Sequence, residues 1–455
     1  MSTHEYDIVV VGSGTAGCYA AATAAQEGLD VAVVERKDEE AAGHIACGDA
    51  LKGANSFPDA IPKSKIESSF TNTAVDHGRF EIPSEDAVLN IPVPGELAVI
   101  DRWEYGRKII DAADEAGAEF HYDTVVTDVL QDDSGRVTGV RGKRKGEVET
   151  FAAEITVDAA GALSVLQDNA DFSDATFDTN VSYSQFCSAY REIVEVPEPV
   201  DWNDALVFKP TDRASGYLWY FPRTPTEINV GLGFQMTEEP MKLVKDLRKD
   251  LRSRPEFEGA EVVDKLGAAL PTRRPYDSAT APGLVAVGDA AGLVNPTTGG
   301  GIAGAAYSGK YAAEEAISAI SAGRADEELW RYNEQIMDHF GARYAALDVY
   351  NVLSTAIDVD ELTSLLASLP GEPIAEALYS GKTSIGPRTA LKTLRGAVGH
   401  LDQIWEIYQV RNLAEELLTH YESYPDRPSA LPRWQEERDS IMERVYERTG
   451  ADPKY

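Results

Sequence analysis

The chain is short of positive charge, of cysteine and of unbroken apolar runs, and each shortage removes a class of function. Lysine and arginine number 42 against 76 aspartates and glutamates, a formal net charge of −34 over 455 residues. Non-specific nucleic-acid binding needs a basic footprint, so no nucleic-acid partner is expected. Three cysteines, Cys18, Cys47 and Cys187, are too few and too scattered for a disulfide framework. No C-x-x-C and no Cys/His cluster offers ligands for a metal or an iron–sulfur centre. The opening residues, MSTHEYD, lack the basic and apolar regions of a secretory signal. Two uncharged stretches, Ile8–Gln26 and Ala290–Gly309, approach membrane-spanning length, but glycines break both, and buried βα units account for them better. The expectation is a cytoplasmic protein, with any membrane contact peripheral at the cytoplasmic face.

The acidic residues are spread along the chain rather than gathered in a tail, and hydrophobic residues at 43% suffice for a large core. Such a carboxylate-rich surface suits concentrated salt, where screening removes self-repulsion, and points to a halophilic, archaeal setting.

What is present is concentrated at the start. Gly12, Gly14 and Gly17 form G-x-G-x-x-G directly after the apolar strand Ile8–Val11, and Glu35 closes the next strand, Val31–Val34. Gly12 allows a tight turn, Gly14 lets a pyrophosphate approach the backbone, and Gly17 lets helix and strand pack closely. The helix N-terminus supplies free N–H groups and a positive dipole end, and Glu35, with Arg36 beside it, can meet a ribose. Farther on, HIACGDALKG (44–53) is a glycine-containing loop, a helix is expected near 103–116, and ITVDAAG (155–161) reads as a buried strand. Between 171 and 274 the pattern alternates in the β manner, as in GYLWYFPR and EINVGLGFQM. GLVAVGDAAGLVNPTTGGGIAGAAYSGKYAAEEAI (283–317) gives a strand, Gly-Asp, a loop, a triple glycine and a helix, and amphipathic helices follow, among them one read over 390–418.

This order of motifs resembles the flavoproteins of the p-hydroxybenzoate hydroxylase and glutathione reductase type. The resemblance implies an α/β Rossmann-type FAD-binding domain (1–170), an inserted antiparallel β-sheet substrate domain (171–274), a return segment (275–320) and a helical C-terminal region (321–455). In GYLWYFP, alternation puts Tyr217, Trp219 and Phe221 on one face of a strand. That Y-x-W-x-F-P pattern, the loop ACGDALK with Cys47, LPTRRP (270–275) and GDAAGLVNPTTGGGI (288–302) together resemble the geranylgeranyl reductase family, in particular its archaeal digeranylgeranylglycerophospholipid reductases. Two departures, Thr15 in GSGTAG where many relatives carry proline and VDAAG (157–161) for a common D-A-T-G, remove no glycine the backbone needs.

The resemblance implies FAD-dependent saturation of isoprenoid double bonds in archaeal ether lipids. It places Ala16, Glu35 and Val126 toward the adenosine end, Arg102 along the cofactor, Cys47, Gly48 and Ala50 beside the flavin, and Asp289, Gly301 and Ile302 at the ribityl chain and ring. The aromatic face Tyr217/Trp219/Phe221 would place the alkene, with cation–π stabilisation of developing positive charge, although such a stripe also serves as plain core. Cys47 would be a proton donor or a redox partner, set against the bland role of a small buried hydrophobe. Arg273 and Arg274 would hold a headgroup phosphate or form surface ion pairs; Cys18 and Cys187 are left to packing. Electrons would come from reduced ferredoxin or a similar carrier, with NADPH as the alternative, since no second strand–turn–helix unit carries G-x-G-x-x-G directly after its strand as the first does. The rival activities are reduction of a menaquinone side chain and aromatic-ring hydroxylation.

Overall fold

The structure is a computed structural model that describes residues 2–357, 359 and 401–455, apart from residues 55, 94, 212–215, 237–238, 326 and 328. Strand β1 (Ser2–Val11) buries its last four residues completely, the mark of a central parallel strand covered on both faces. Helix α1 (Thr15–Gln26) is almost all small residues, which lets it lie close to the sheet, and β2 (Val31–Val34) is fully buried beside β1. The uncharged stretch Ile8–Gln26 is thus a strand, a turn and a helix. The chain then runs out to a second layer, where β3 (His77–Ile82) and β4 (Ala87–Pro92) form a hairpin.

Helix α2 (Arg102–Glu115) brings it back, capped by Asp101, whose carboxylate accepts from Trp103 N and Glu104 N. β5 (Glu119–His121), β6 (Thr124–Gln131), β7 (Val137–Arg144) and β8 (Glu147–Asp158) follow. β9 (Phe186–Glu195), β10 (Ala205–Pro210), β11 (Tyr217–Pro222) and β12 (Glu227–Gln235) return to the second layer, followed by helix α3 (Pro240–Leu251) and β13 (Glu261–Pro271). β14 (Leu284–Ala286) and the 20-residue helix α4 (Ile302–Ser321) complete the first layer. Helices α5 (Ala342–Ala356), α6 (Leu401–Tyr421) and α7 (Leu431–Thr449) close the chain. Of the helix expected over 390–418, residues 390–400 lie outside the described residues.

The first sheet runs β14-β8-β1-β2-β5, these five parallel, with the two-residue antiparallel strand Thr280–Ala281 at the β14 edge and the antiparallel meander β6-β7 attached to β8. The second runs β13-β9-β12-β11-β10-β3-β4. It is therefore wider than the segment 171–274: two of its seven strands come from residues 77–92, and β3 joins β10 in parallel register, His77 beside Ala205. The physical reason is coverage, since β10 would otherwise be an open edge facing solvent.

Arg273 and Arg274 sit neither on the surface nor in the wall of the cavity described below. Both are buried, Arg273 completely. Arg273 is held by Asp178 at 2.7 Å, and the guanidinium of Arg274 stacks on the Tyr455 ring at 3.5 Å. Lys454 reaches Asp348 at 2.6 Å and Arg438 pairs with Asp277, so this charge cluster fastens α5 and α7 to the return segment. An isolated buried cation would be costly, and the acids explain why these are tolerated. Among the described residues, no helix is long and apolar enough to cross a membrane.

Candidate functional site

A cavity of about 1450 Å³ is lined by residues of both sheets and of the C-terminal helices. Drug-sized ligands occupy about 300–1,000 Å³, so there is room for a dinucleotide together with part of a second molecule. Every residue assigned a catalytic or cofactor role from sequence lines it except Gly17, which lies behind the wall.

At the nucleotide end the glycines divide their work. Gly12 has φ +104°, and a Cβ there would sit 2.5 Å from the Ala159 carbonyl oxygen. A Cβ on Gly17 would lie 2.0 Å from the Gly12 carbonyl oxygen, whereas one on Gly14 meets nothing within 4 Å. Packing thus excludes side chains at two positions, and Gly14 leaves open space toward the cavity. Glu35 braces the turn: Oε2 accepts from Ser13 N at 3.0 Å and Ser13 Oγ at 2.7 Å, while Oε1 accepts from Lys37 N at 2.9 Å. Ala16, Arg36 and Val126 line the same end.

Arg102 is 4% exposed; its Nη2 donates to Thr15 Oγ1 at 3.3 Å, and its Nη1 has no partner. A buried guanidinium with an unused donor beside a glycine turn is what a pyrophosphate would complete. Burial pushes the Asp289 carboxyl up to about 6, with Arg102 pulling the other way. Gly301 caps α4 and Ile302 begins it, so the positive end of a 20-residue helix lies at the cavity wall. These groups fit FAD: a glycine turn open to a phosphate, a cation with one unused donor, a buried carboxyl for hydroxyls, and a helix dipole.

The other end is built from side chains. Tyr217, Trp219 and Phe221 share one face of β11, as alternation requires, with Trp219 and Phe221 at 7% and 5% exposure. Their rings run in sequence at 6.1 and 6.4 Å between centroids. Tyr217 OH donates to the Thr298 carbonyl at 2.9 Å and so ties β11 to the triple-glycine loop. A Cβ on Gly48 would lie 3.2 Å from Phe221 Cε2, which puts the Cys47–Ala50 loop directly against the aromatic strand. Burial, helped by Asp49, pushes the Cys47 thiol up, so it stays protonated. Phe80, Ile82, Leu89 and Ile91 of β3 and β4 and Phe208 of β10 extend the apolar lining. Cys187 also lines the cavity and is buried enough that its thiol is pushed up to about 12; Cys18 is core, its Sγ donating to Ser13 O at 3.3 Å.

Sequence reasoning passed over several residues here. Asp49 is fully buried with φ +67°, and its carboxylate meets Arg223 at 2.7 Å. Burial raises the Asp49 carboxyl against the pull of Arg223. Arg223 directly follows Y-x-W-x-F-P, and an arginine ending an apolar strand was the available signal. On β12, Asn229, Gly231 and Gly233 alternate on the cavity-facing side; an N-x-G-x-G pattern inside a strand, where glycine is unfavourable, marks a close approach. A Cβ on Gly231 would sit 2.1 Å from Trp219 Cζ2.

Residues 5–343 match the FAD binding domain family. The chain is 25% identical, over 97% of its length and 98% of the relative's, to the digeranylgeranylglycerophospholipid reductase of Sulfolobus acidocaldarius. It is 30% identical to the enzyme of that name from Methanothrix thermoacetophila, covering 81% of this chain and 93% of that one. Among solved structures, a geranylgeranyl bacteriochlorophyll reductase-like protein of Thermoplasma acidophilum superposes with a TM-score of 0.72 at 22% identity, covering 90% of this chain and 100% of that one. A myxobacterial chondrochloren halogenase shares the fold at TM-score 0.63 and 17% identity, covering 91% of this chain and 97% of the halogenase.

Proposed function

The chain belongs to the FAD binding domain family, and from that premise we propose that it is an FAD-dependent reductase saturating the isoprenoid double bonds of archaeal ether membrane lipids. The observation that carries the reading is one continuous cavity, bordered by the glycine turn and Arg102 at one end and walled by aromatic and aliphatic side chains at the other. The relatives named above support the lipid as substrate.

FAD, when bound and reduced, would supply the two electrons as a hydride. The protein does the rest. Gly12, Gly14, Ala16, Glu35, Arg36, Arg102 and Val126 would hold the dinucleotide, with Gly17 setting the turn behind them; Gly48, Ala50, Asp289, Gly301 and Ile302 would hold its ring and ribityl chain. Trp219 and Phe221, with Tyr217 fixing the adjoining loop, place the alkene and face the carbon on which positive charge develops. Cys47, kept as a thiol by burial, holds the proton for the other carbon. The apolar lining excludes water, which would otherwise compete with the hydride for the carbon on which positive charge develops.

With one dinucleotide turn in the sequence, we assign electron supply to a reduced carrier of the ferredoxin class, NADPH being the alternative. The substrate lies in a membrane, so the protein works peripherally at the cytoplasmic face. The test is anaerobic: reduce the flavoprotein with dithionite, add an unsaturated archaeal ether lipid, and record the product mass. A gain of about 2 Da per bond, the hydride and the proton, is expected; flavin that stays reduced beside unchanged lipid overturns the reading.

A further inference from the structure

Resting on that reading, we propose that Asn229 is a positioning residue that sets Cys47 and Trp219 relative to one another. β12 is strictly two-faced. Ile228, Val230, Leu232 and Phe234 pack into the core beneath α3, where Leu243 and Leu247 meet them. Asn229 lies on the opposite face with no exposure at all. An amide buried on an apolar sheet is unfavourable unless both of its ends are satisfied.

Both ends are used, and each reaches a proposed participant in the chemistry. Oδ1 accepts from Trp219 Nε1 at 2.9 Å, and Nδ2 donates to the Cys47 carbonyl at 2.8 Å. The orientation is chemically forced, because an indole nitrogen only donates and a carbonyl only accepts. Register explains how one side chain spans both. Phe221 is the cross-strand neighbour of Asn229, and Trp219 pairs with Gly231. The indole therefore lies across the bare backbone of Gly231, where a Cβ would be 2.1 Å from it, to reach the amide.

The Cys47 loop arrives from the other layer and is pinned nearby by Asp49 on Arg223. One amide thus joins the thiol's peptide to the ring against which the alkene would rest. A leucine has the same branched outline and gives neither bond.

The test uses the FAD-loaded protein and two variants. Asn229→Leu removes both bonds and the amide's contact with the Asp49 carboxyl, and leaves a buried indole N–H and a part-buried carbonyl unpaired. It should keep FAD affinity within about twofold, lower kcat at least about tenfold and speed alkylation of Cys47 by iodoacetamide about tenfold. Asn229→Asp is the conditional variant: as a carboxylate it accepts from Trp219 but cannot donate to Cys47, and as a protonated acid it does both. The new carboxyl faces the buried Asp49 carboxyl, which also contacts residue 229 and is paired with Arg223, with Arg191 nearby; kcat and alkylation rate should return toward wild type as pH falls, by more than any change wild type itself shows. Wild-type values of both quantities in Asn229→Leu, or a flat pH profile in Asn229→Asp should the leucine variant not fold, overturn the proposal. Alkylation needs no substrate, so a wild type that reduces no lipid would count against the proposed function while leaving this inference standing or falling on the thiol alone.

Discussion

The two ends of the cavity are built by different means. The nucleotide end is made of backbone: a turn whose glycines are excluded from carrying side chains, a helix terminus, and a few polar groups within a short reach of them. The lipid end is made of side chains from β3, β4, β9, β10, β11 and β13, brought together by strand register across two separate parts of the chain. A backbone site fails all at once when its geometry is disturbed, whereas a side-chain wall should fail locally, losing turnover while keeping its cofactor. The experiments that press this contrast hardest are single substitutions compared between the two ends.

The largest effect is expected within the turn. Gly17→Ala forces a methyl to 2.0 Å from the Gly12 carbonyl, so the apoprotein itself should lose about 3 kcal/mol or more and FAD should not bind. Gly14→Ala meets nothing in the protein. Its apoprotein should melt like wild type by circular dichroism while isothermal titration shows FAD affinity sharply reduced. Equal melting losses in the two variants would remove the distinction between packing and ligand glycines.

Asp289 comes next, and its effect depends on pH. Its folded-state pKa of about 6 lies above the ordinary value of 3.8, so in the apoprotein its ionisation opposes folding. That cost is fully present above pH 6, is about half as large near pH 5, and disappears below the unfolded pKa; two units correspond to about 3 kcal/mol. Asp289→Asn should therefore stabilise the apoprotein in urea melts at pH 8, less at pH 5, and not at pH 3.5, while weakening FAD. Arg102→Met should follow with a smaller change. Losing a charge-assisted bond to a phosphate weakens FAD by about tenfold to hundredfold. Apoprotein stability should hold or rise, because an incompletely paired buried cation is removed; a fall would show that the guanidinium serves the fold.

The same contrast governs what could be read in the sequence. Gly12, Gly14, Gly17 and Glu35 are legible because the turn they form is local, and covalent spacing alone puts them together. Asp289 and Gly301 follow from a strand–loop–helix pattern only slightly longer. Tyr217, Trp219 and Phe221 are legible as one face because strand periodicity is also local, but what that face meets is not. Asn229 reaches Cys47, and Arg223 reaches Asp49, across more than 170 residues, and no short pattern records that pairing. His77–Ile82 and Ala87–Pro92 were missed for the same reason, since their place in the second sheet depends on a parallel partner far along the chain. Arg273 and Arg274 look like surface charge next to Pro275; the acids and the terminal tyrosine that bury them lie in other elements.

The smallest predicted effect is the sharpest test of the side-chain end. Gly231→Ala puts a Cβ 2.1 Å from the Trp219 ring, closer than any real contact, so the indole must move or β12 must shift. The ring is the cheaper thing to move, because it lies at a cavity wall with empty volume beside it, whereas β12 is hydrogen-bonded on both sides to β9 and β11. A displaced indole gives up its bond to Asn229, a loss of about 1 kcal/mol for a neutral pair. Global stability should thus fall little, FAD titration and the flavin absorption spectrum should be those of wild type, and lipid turnover should drop about fivefold to tenfold. Tryptophan emission should shift as the indole leaves its partner. If FAD binding fell along with turnover, the two ends would be one mechanical unit, and the division between a backbone-built and a side-chain-built half would not hold.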